Sequence, residues 1–572
     1  MKNRIVMVVV ILLSMIPSKA QAGIPSFPHL APASYMAPLT PGFYQLAWVG
    51  QWQIPPRPEF TNISRIEISD IKNPSLSWSN AVFPKCSQEI TERCIRSIEY
   101  KREGESKWSS VSFLKYLPVA TAPFKTTNRD RYLQWTMEDI DSKRNSIWPL
   151  DSARSSIWQM DTNRGVQKYL ATVSIGYEAL FKYYNSFKLN LTPVIEVNIT
   201  DANQYNNLDP NRTWCARTGY GDSFFQGNNF HPLVDSNPQD GVYDYCLVKT
   251  DFEDKTVFRV STQLSPDFNE KSLANWVTSR SSETRAYSKS LGKGKPTVAI
   301  FEGLPVKIQA GITQVPHTLE GFNSWYAGSP HKKAFDQGKY GANWFEEMKK
   351  NWGIGSNYSG GESWYGLGWD AIDQWNSTEK YIDPNLTIEH TLWDFSVIPL
   401  EEAGDNWVSK CKSIMSSTPT FSGVISTNAT VFVQGPPKLE SGGNLDFQVA
   451  STHLKQNGDL NIGTYHLSLD QRVANCIWGS ASLGASASIS VISQDGVRQV
   501  ATTSIGASEG QLNFSASGFH YSTNKISVNL GQQSTSPEKL NPKQSTISCV
   551  KGKTTKKVTA VNPKCPNGYK KK

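Results

Sequence analysis

The chain has 572 residues, several times the size of one typical domain, and is therefore expected to fold as several domains. Charged residues make up only 19% of it and aromatic residues 11%, with 18 tryptophans, a composition that excludes wholesale disorder. The net charge of +8 arises near the C terminus, because residues 23–547 carry a net charge of −3. This balance disfavours a nucleic-acid-binding body, and we expect no nucleic acid among the partners.

The first 22 residues have the pattern of a signal peptide. Lys2 and Arg4 precede an apolar run from Ile5 to Ile16, and Ala20-Gln21-Ala22 matches the small-x-small cleavage pattern. As a helix this run reaches about 18 Å, short of the roughly 30 Å hydrocarbon core, so no transmembrane anchor is expected after cleavage. The mature protein is predicted to be extracellular, either secreted or associated with the cell surface.

Most of the mature chain has the pattern of antiparallel β-structure. Short apolar stretches such as Tyr169–Tyr177 and Leu191–Thr200 alternate with turn residues, and later strands show a clear period of two. Ser488–Ser493 is followed by an Asp495-Gly496 turn and a returning strand from Val497 to Ile505. We therefore predict a mainly β, multidomain protein with antiparallel β-sandwich-like domains and a short helical segment rich in Trp and Gly.

Shifts in composition suggest the boundaries of these parts. After the signal peptide (1–22) we expect a lead-in rich in Pro and aromatic residues (23–58), one or more β-rich domains (59–309), a Trp/Gly-rich region (310–409), a C-terminal β-sandwich-like domain (410–530), a linker (531–547) and a basic two-cysteine tail (548–572).

The eight cysteines form four couples along the chain. An even number of cysteines in an exported protein indicates disulfides, and pairing of neighbours is the simplest arrangement: Cys86 with Cys94, Cys215 with Cys246, Cys411 with Cys476, and Cys549 with Cys565. A zinc site is the alternative, but the sequence has no C-x-x-C and its histidines are scattered. We therefore expect no metal ligation by cysteine.

The segment from Tyr358 to Trp375 is the first candidate ligand site. Its glycines permit close approach of a ligand, tryptophan rings stack on sugars, and carboxylates bond hydroxyl groups. The candidate residues are Glu362, Trp364, Tyr365, Trp369 and Asp370. A glycoside hydrolase would need two of these carboxyls across a cleft, which the sequence does not establish, and a structural Trp-Gly core is the simpler interpretation.

Catalytic and metal motifs give little support for an enzyme. The sequence lacks G-x-S-x-G and H-E-x-x-H, and we predict no catalytic residue, no metal and no cofactor. Residues 235–241 resemble the start of a calcium loop but depart from its spacing, so an Asx-rich turn is favoured over a calcium site.

The basic tail is the second candidate site. Its eight lysines form a point-charge cluster suited to polyanions, whereas a solubilising terminus is the alternative. These lysines are Lys551, Lys553, Lys556, Lys557, Lys564, Lys570, Lys571 and Lys572. The expected partners are cell-envelope polyanions or surface glycans.

The tail also resembles the C-terminal end of exported proteins of small-genome freshwater actinobacteria. The resemblance rests on C-V-K-G-K-x-T-K-K-V-T-x-x-x-P-K-C-P-x-G-Y-K-K-K at Cys549–Lys572. Residues 358–375, 449–453 and 473–476 are similar to an uncharacterised family of large secreted proteins from such bacteria. The resemblance implies a surface or secreted bacterial protein and supplies no catalytic residue.

Taken together, these patterns favour a noncatalytic bacterial cell-surface protein over an enzyme. The expected role is adhesion or ligand capture, with the basic tail holding the protein at the envelope. The alternative is a secreted carbohydrate-active protein, either glycan-binding or a glycoside hydrolase that uses Glu362 and Asp370.

Overall fold

The computed structural model describes most of the β-rich part of the chain. The described residues are 43–48, 65–67, 75–116, 155–162, 165–178, 183–198, 208, 213–216, 230–232, 245–264, 276–292, 295–328, 332, 336, 338, 343, 346, 349–350, 362–364, 369–382, 387–398, 406–417, 421–433, 435–479, 488–493, 496–508, 510–521, 523–529, 545–551, 554–560, 565 and 569–571.

The protein is mainly β with antiparallel sheets, as the sequence pattern predicted. The strands of the first half are β1 Phe43–Trp48, β2 Arg65–Glu67, β3 Ser75–Val82, β4 Cys94–Arg102, β5 Ser109–Tyr116, β6 Ser156–Thr162, β7 Gly165–Glu178, β8 Tyr183–Asn198, β9 Thr213–Ala216, β10 Phe230–Pro232, β11 Tyr245–Lys249, β12 Thr256–Leu264, β13 Trp276–Ser290 and β14 Thr297–Pro316. The predicted stretches at 169–177 and 191–200 fall largely within β7 and β8.

The described part of the second half contains shorter strands and helices. The strands are β15 Glu362–Trp364, β16 Ile388–Leu392, β17 Asp394–Ile398, β18 Gly423–Thr427, β19 Val431–Phe432, β20 Lys438–Leu439, β21 Leu445–Ala450, β22 Ile462–Asp470, β23 Ser488–Ser493, β24 Arg498–Gln499, β25 Thr502–Ser508, β26 Gln511–His520, β27 Asn524–Asn529, β28 Ser545–Lys551, β29 Thr554–Ala560 and β30 Lys570–Lys571. The helices are α1 Leu319–Gly328, α2 Trp369–Thr378, α3 Asn406–Ser417 and α4 Gln471–Trp478, with a 3-10 turn at Glu379–Tyr381.

Eight strands of the first half and β17 of the second half close into a ring. The order is β4-β12-β14-β13-β17-β8-β7-β6-β5 and back to β4, with every neighbouring pair antiparallel. Closure satisfies the backbone hydrogen bonds that an open sheet leaves at its edges. Buried aromatic side chains fill the interior, with the rings of Phe187 and Phe301 stacked 5.4 Å apart and Phe395 packed 5.3 Å from Phe301.

The second core is a β-sandwich that shares β13 with the closed sheet. The first half of β13 pairs in parallel with β18, from which the sheet continues through β22 and β26 to β25. A second sheet in the order β19-β21-β27-β23-β24 contributes the other layer of this core. Successive side chains of a strand point to opposite faces, so Trp276 packs into the sandwich core and Val277 into the closed sheet.

Helices cover parts of the sandwich core. Phe322 and Trp325 of α1 and Ile372 and Trp375 of α2 are buried in it. Gly328 lets α1 approach α2 closely, because a Cβ at this position would collide with the backbone of α2. The other two helices, α3 and α4, are joined by a disulfide.

Two of the predicted disulfides are formed as expected. Cys86–Cys94 joins Cα atoms 5.0 Å apart, and Cys411–Cys476 joins Cα atoms 6.0 Å apart. Cys246 is also disulfide-bonded and has Cys215 as its Cα partner across the β11–β9 ladder. Cys565 in the tail is disulfide-bonded as well, and none of the cysteines in the described part of the chain is free.

Candidate functional site

The Trp/Gly segment is described mainly through its backbone. Glu362 and Trp364 lie at the two ends of β15, which pairs in parallel with β1, so that Trp364 is the Cα partner of Trp48. Trp369 and Asp370 form the first turn of α2. Tyr365 lies outside the described residues, as does the calcium-loop candidate at 235–241.

Ile372 and Trp375, near the C-terminal end of this segment, belong to the hydrophobic core. Ile372 and Trp375 are 1% exposed, and the Gln374 side chain donates a hydrogen bond of 3.0 Å to the Trp325 carbonyl. These side chains hold α2 against α1. Ile372, Gln374 and Trp375 therefore have a structural role, and ligand binding by the earlier residues of the segment stays a prediction.

The basic tail is a small folded sheet. Its central strand β28 pairs antiparallel with β29 on one side and β30 on the other. Cys549 has Lys556 and Lys571 as its Cα partners, one on each side. Five of the eight predicted polyanion-binding lysines lie on these three strands, while Lys553, Lys564 and Lys572 lie outside the described residues.

A third candidate lies on the outer face of the closed sheet and was missed from the sequence. Trp108, at the end of the turn between β4 and β5, folds over β12 and places its ring centroid 3.8 Å from the Arg259 guanidinium carbon. The Lys101 ammonium is 5.0 Å from the same ring. We call this group the outer-face patch: Glu99, Lys101, Trp108, Arg259, Tyr287 and Glu302.

Hydrogen bonds and charges fix the centre of the outer-face patch. Arg259 donates from Nε and Nη2 to Glu302 Oε1, each at 2.8 Å, and Tyr287 donates to the same oxygen at 2.9 Å. Glu99 is more loosely placed, with Oε2 3.8 Å from Arg259 Nη1 and a side chain that is 26% exposed. The result is a partly buried indole beside one loosely held carboxylate.

The registers of the β4–β12 and β12–β14 strand pairs explain why these residues lie side by side. Glu99 on β4 faces Arg259 on β12, and Arg259 faces Glu302 on β14. Only the tertiary pairing of three strands brings them together. The one local signal was Trp108 itself, a lone aromatic residue in a polar turn.

Buried polar groups line the joint between the two cores. Arg280 is fully buried and donates to the carbonyl oxygens of Thr427, Ala429 and Thr430, with its guanidinium 4.3 Å from the Phe432 ring. Burial lowers the pKa of Arg280 to about 10, which leaves it charged near neutral pH. It fastens the turn after β18 to the closed sheet, a structural role.

Asp394 lies beside Arg280 in the β13–β17 ladder. Burial of its carboxyl raises the pKa to about 7, although the positive charge of Arg280 acts in the opposite direction. A perturbed carboxyl of this kind is often functional, but structural charge pairs show the same shift.

A half-buried Ser–His pair lies on β22 and β26. His466 Nδ1 is 2.9 Å from Ser515 Oγ, and burial lowers the pKa of His466 to about 4, so the imidazole is neutral at pH 7. No carboxylate among the described residues pairs with His466 Nε2 as the acid of a catalytic triad would. The pair is therefore a weak candidate for catalysis.

The described residues meet neither the requirements for a metal site nor those for a membrane-spanning helix. Their His, Cys, Asp and Glu side chains form no group of three or more that could hold a metal ion. None of the described helices has the length and apolar character needed to cross a membrane.

Comparisons with known proteins do not identify the chain. A scan against protein-family models and searches of curated proteins and of solved structures found no match. The resemblance to actinobacterial exported proteins therefore stays a prediction, and function must be argued from the sites above.

Proposed function

We propose that this is a noncatalytic, secreted cell-surface protein of bacteria that acts in adhesion or ligand capture and is held at the envelope by its basic tail. The carrying observation is the folded tail, in which lysines occupy three paired strands. A sheet holds ammonium groups at fixed spacing, which concentrates positive charge without the entropy cost of ordering a loose terminus. Polyanions of the envelope, such as phosphate-bearing polymers or anionic lipid heads, are the expected partners of the tail.

Export is supported by the signal-like N terminus and by the two disulfides Cys86–Cys94 and Cys411–Cys476, which persist in oxidising compartments. The main body contributes the surface for ligand capture. Its net charge of −3 over residues 23–547 leaves the tail as the main source of attraction to anions.

The tail is tested by removing its charge while keeping its fold. A variant with Lys551→Gln, Lys570→Gln and Lys571→Gln changes three exposed lysines and keeps both tail cysteines. We expect this variant, and a deletion of residues 549–572, to move from the cell fraction into the medium, with the largest difference at low salt where charge attraction is least screened.

The matched control replaces three exposed lysines of the main body, Lys255, Lys295 and Lys410, by Gln. Its net charge equals that of the tail variant, so a loss of retention in both would indicate a general charge effect. Retention of the deletion variant on cells at low salt would contradict the tether.

A glycan-binding or glycoside-hydrolysing protein is the second candidate function. The outer-face patch favours it, since an indole ring beside carboxylates is a common sugar-binding arrangement. Release of new reducing ends from polysaccharides would show that the protein hydrolyses glycans. Loss of this activity in Glu362→Gln and Asp370→Asn would then show that the predicted carboxyls are catalytic.

A further inference from the structure

We propose that the outer-face patch binds a neutral sugar ring of a glycan, which packs on Trp108 and exchanges hydrogen bonds with Glu99 and Lys101. The inference rests on the proposed role in ligand capture and names the ligand class and the site. The site is separate from the Trp/Gly segment and from the tail.

The indole is held in place before any ligand arrives. Arg259 lies 3.8 Å from the ring centroid of Trp108 and is itself fixed by the two 2.8 Å contacts to Glu302. Tyr287 adds a third contact to Glu302 from the next strand. Because these groups already hold one another in place, a flat ligand that covers the exposed part of the partly buried indole immobilises few additional side chains.

Two polar groups beside the indole remain available to a ligand. The Glu99 carboxylate is 3.8 Å from the nearest Arg259 nitrogen, which is beyond hydrogen-bond distance, and the side chain is 26% exposed. Lys101 contacts the Trp108 ring and forms no ion pair with a carboxylate among the described residues. The Glu99 carboxylate accepts hydrogen bonds and the Lys101 ammonium donates them. A sugar hydroxyl can both donate and accept, so two neighbouring hydroxyls of one sugar ring could bind this pair of side chains.

The charges of the outer-face patch favour a neutral ligand. Lys101 and Arg259 are balanced by Glu99 and Glu302, so the local sum is zero. A polyanion would be repelled by the exposed Glu99 carboxylate as it is attracted by Lys101. Binding at this patch should therefore depend little on salt, whereas retention through the tail should weaken as salt rises.

The experiment uses the full-length mature protein and neutral polysaccharides. Co-sedimentation with cellulose, chitin and insoluble β-glucan, and affinity electrophoresis in soluble mannan and galactan, are run at low and high salt. We expect binding to at least one of these at both salt concentrations. Trp108→Ala should weaken it roughly tenfold, the scale of one lost aromatic stacking contact with its buried area.

Three further variants keep the test decisive. Glu99→Gln should also weaken binding. Glu103→Gln, a matched change in the turn that follows β4, should not, since its exposed ion pair with Lys255 contributes little. Trp108→Phe keeps a smaller stacking surface and should bind with intermediate affinity. Unfolding midpoints measured on every variant identify any that fail to fold. The variants that do fold then show whether the outer-face patch binds sugar.

The outcomes separate this inference from the proposed function. Absence of wild-type binding to all the neutral polysaccharides, or equal binding by the wild type, Trp108→Phe and Glu99→Gln, overturns the sugar site. If cell retention still depends on the tail in the same preparations, the proposed function stands without this site. If retention is independent of the tail while Trp108→Ala abolishes sugar binding, the tether fails and the sugar site stands.

Discussion

Arg280 and Asp394 show how single charged residues are accommodated in this interior. The Arg280 guanidinium meets three backbone carbonyls and an aromatic ring, which compensate in part for its lost hydration, while its Nε donor has no hydrogen-bond partner among the described residues. Asp394 has fewer such contacts, and its Oδ1 atom has no hydrogen-bond partner among the described residues. Neither residue was singled out from the sequence, because the groups that surround each of them in space come from other strands.

Asp394 and His466 should have opposite effects on the pH dependence of stability. The folded-state pKa of Asp394 is raised to about 7, so its contribution is present at low pH and is lost as pH rises from its unfolded value towards 7. The folded-state pKa of His466 is lowered to about 4, so its contribution is present above its unfolded value near 6.5 and is lost as pH falls towards 4.

We therefore expect the two slopes to oppose each other between about pH 4 and about pH 6.5. Asp394→Asn should make stability rise with pH in this range, and His466→Gln should make it fall, each by up to about 1.4 kcal/mol per pH unit. Urea unfolding at a series of pH values measures this. Parallel curves for the wild type and both variants would show that neither group titrates with a perturbed pKa.

At the scale of elements, β24 and β25 show what local pattern does and does not specify. The turn at Gly496 was predicted, and this glycine has a positive φ of 83°, as Gly510 does at 77° before β26. The sequence suggested one returning strand from Val497 to Ile505. Instead β24 pairs with β23 in one sheet and β25 pairs with β26 in the other, because the chain crosses between the layers in between.

The two disulfides with defined partners should differ in how much they stabilise the elements that they join. Cys411–Cys476 has a sequence separation of 65 and links α3 to α4, whereas Cys86–Cys94 has a separation of 8. Loop-closure entropy predicts that removing the first costs about 4 kcal/mol and removing the second about 2.5 kcal/mol.

Denaturant unfolding of the double Cys→Ala variants measures both costs, and each variant serves as the control for the other. Equal costs would indicate that native-state packing, rather than the length of the closed loop, dominates. The pairing of Cys86 with Cys94 and of Cys411 with Cys476 was predicted from the sequence, because each pair consists of consecutive cysteines along the chain.

At the scale of the whole molecule, β13 is the element that two cores share. Its first half carries Trp276 into the sandwich and Val277 into the closed sheet. A register shift between Ser282 and Arg285, with Glu283 at a φ of 51°, re-aims the second half towards β14. The closed sheet and the sandwich are therefore continuous through one strand.

A substitution at Gly423 tests how tightly the two cores pack where they share β13. It is the Cα partner of Trp276, and a Cβ at position 423 would collide with the indole ring. We expect Gly423→Ala to destabilise the protein by about 1–3 kcal/mol through overpacking. Gly506→Ala on β25 is the matched control, since a Cβ there meets no atom within 4 Å.

Chemical denaturation of the two glycine variants gives the comparison. A loss confined to Gly423→Ala supports a tightly packed joint between the cores. If Gly423→Ala unfolds with the same midpoint as the wild type, the indole of Trp276 has room to move. The two cores are then not tightly packed at this position.

The sequence by itself determined the mainly β class, the approximate positions of many strands and turns, the two disulfides Cys86–Cys94 and Cys411–Cys476, and the concentration of lysine in the tail. These are local properties: side-chain alternation, turn residues and spacing along the chain. The tertiary structure decided that nine strands close into a ring, that β13 serves two cores, and that Glu99, Trp108, Arg259 and Glu302 meet on one face. A period of two shows that a strand has two faces but does not specify which distant strand lies beside it, and that choice depends on how the whole set of strands packs.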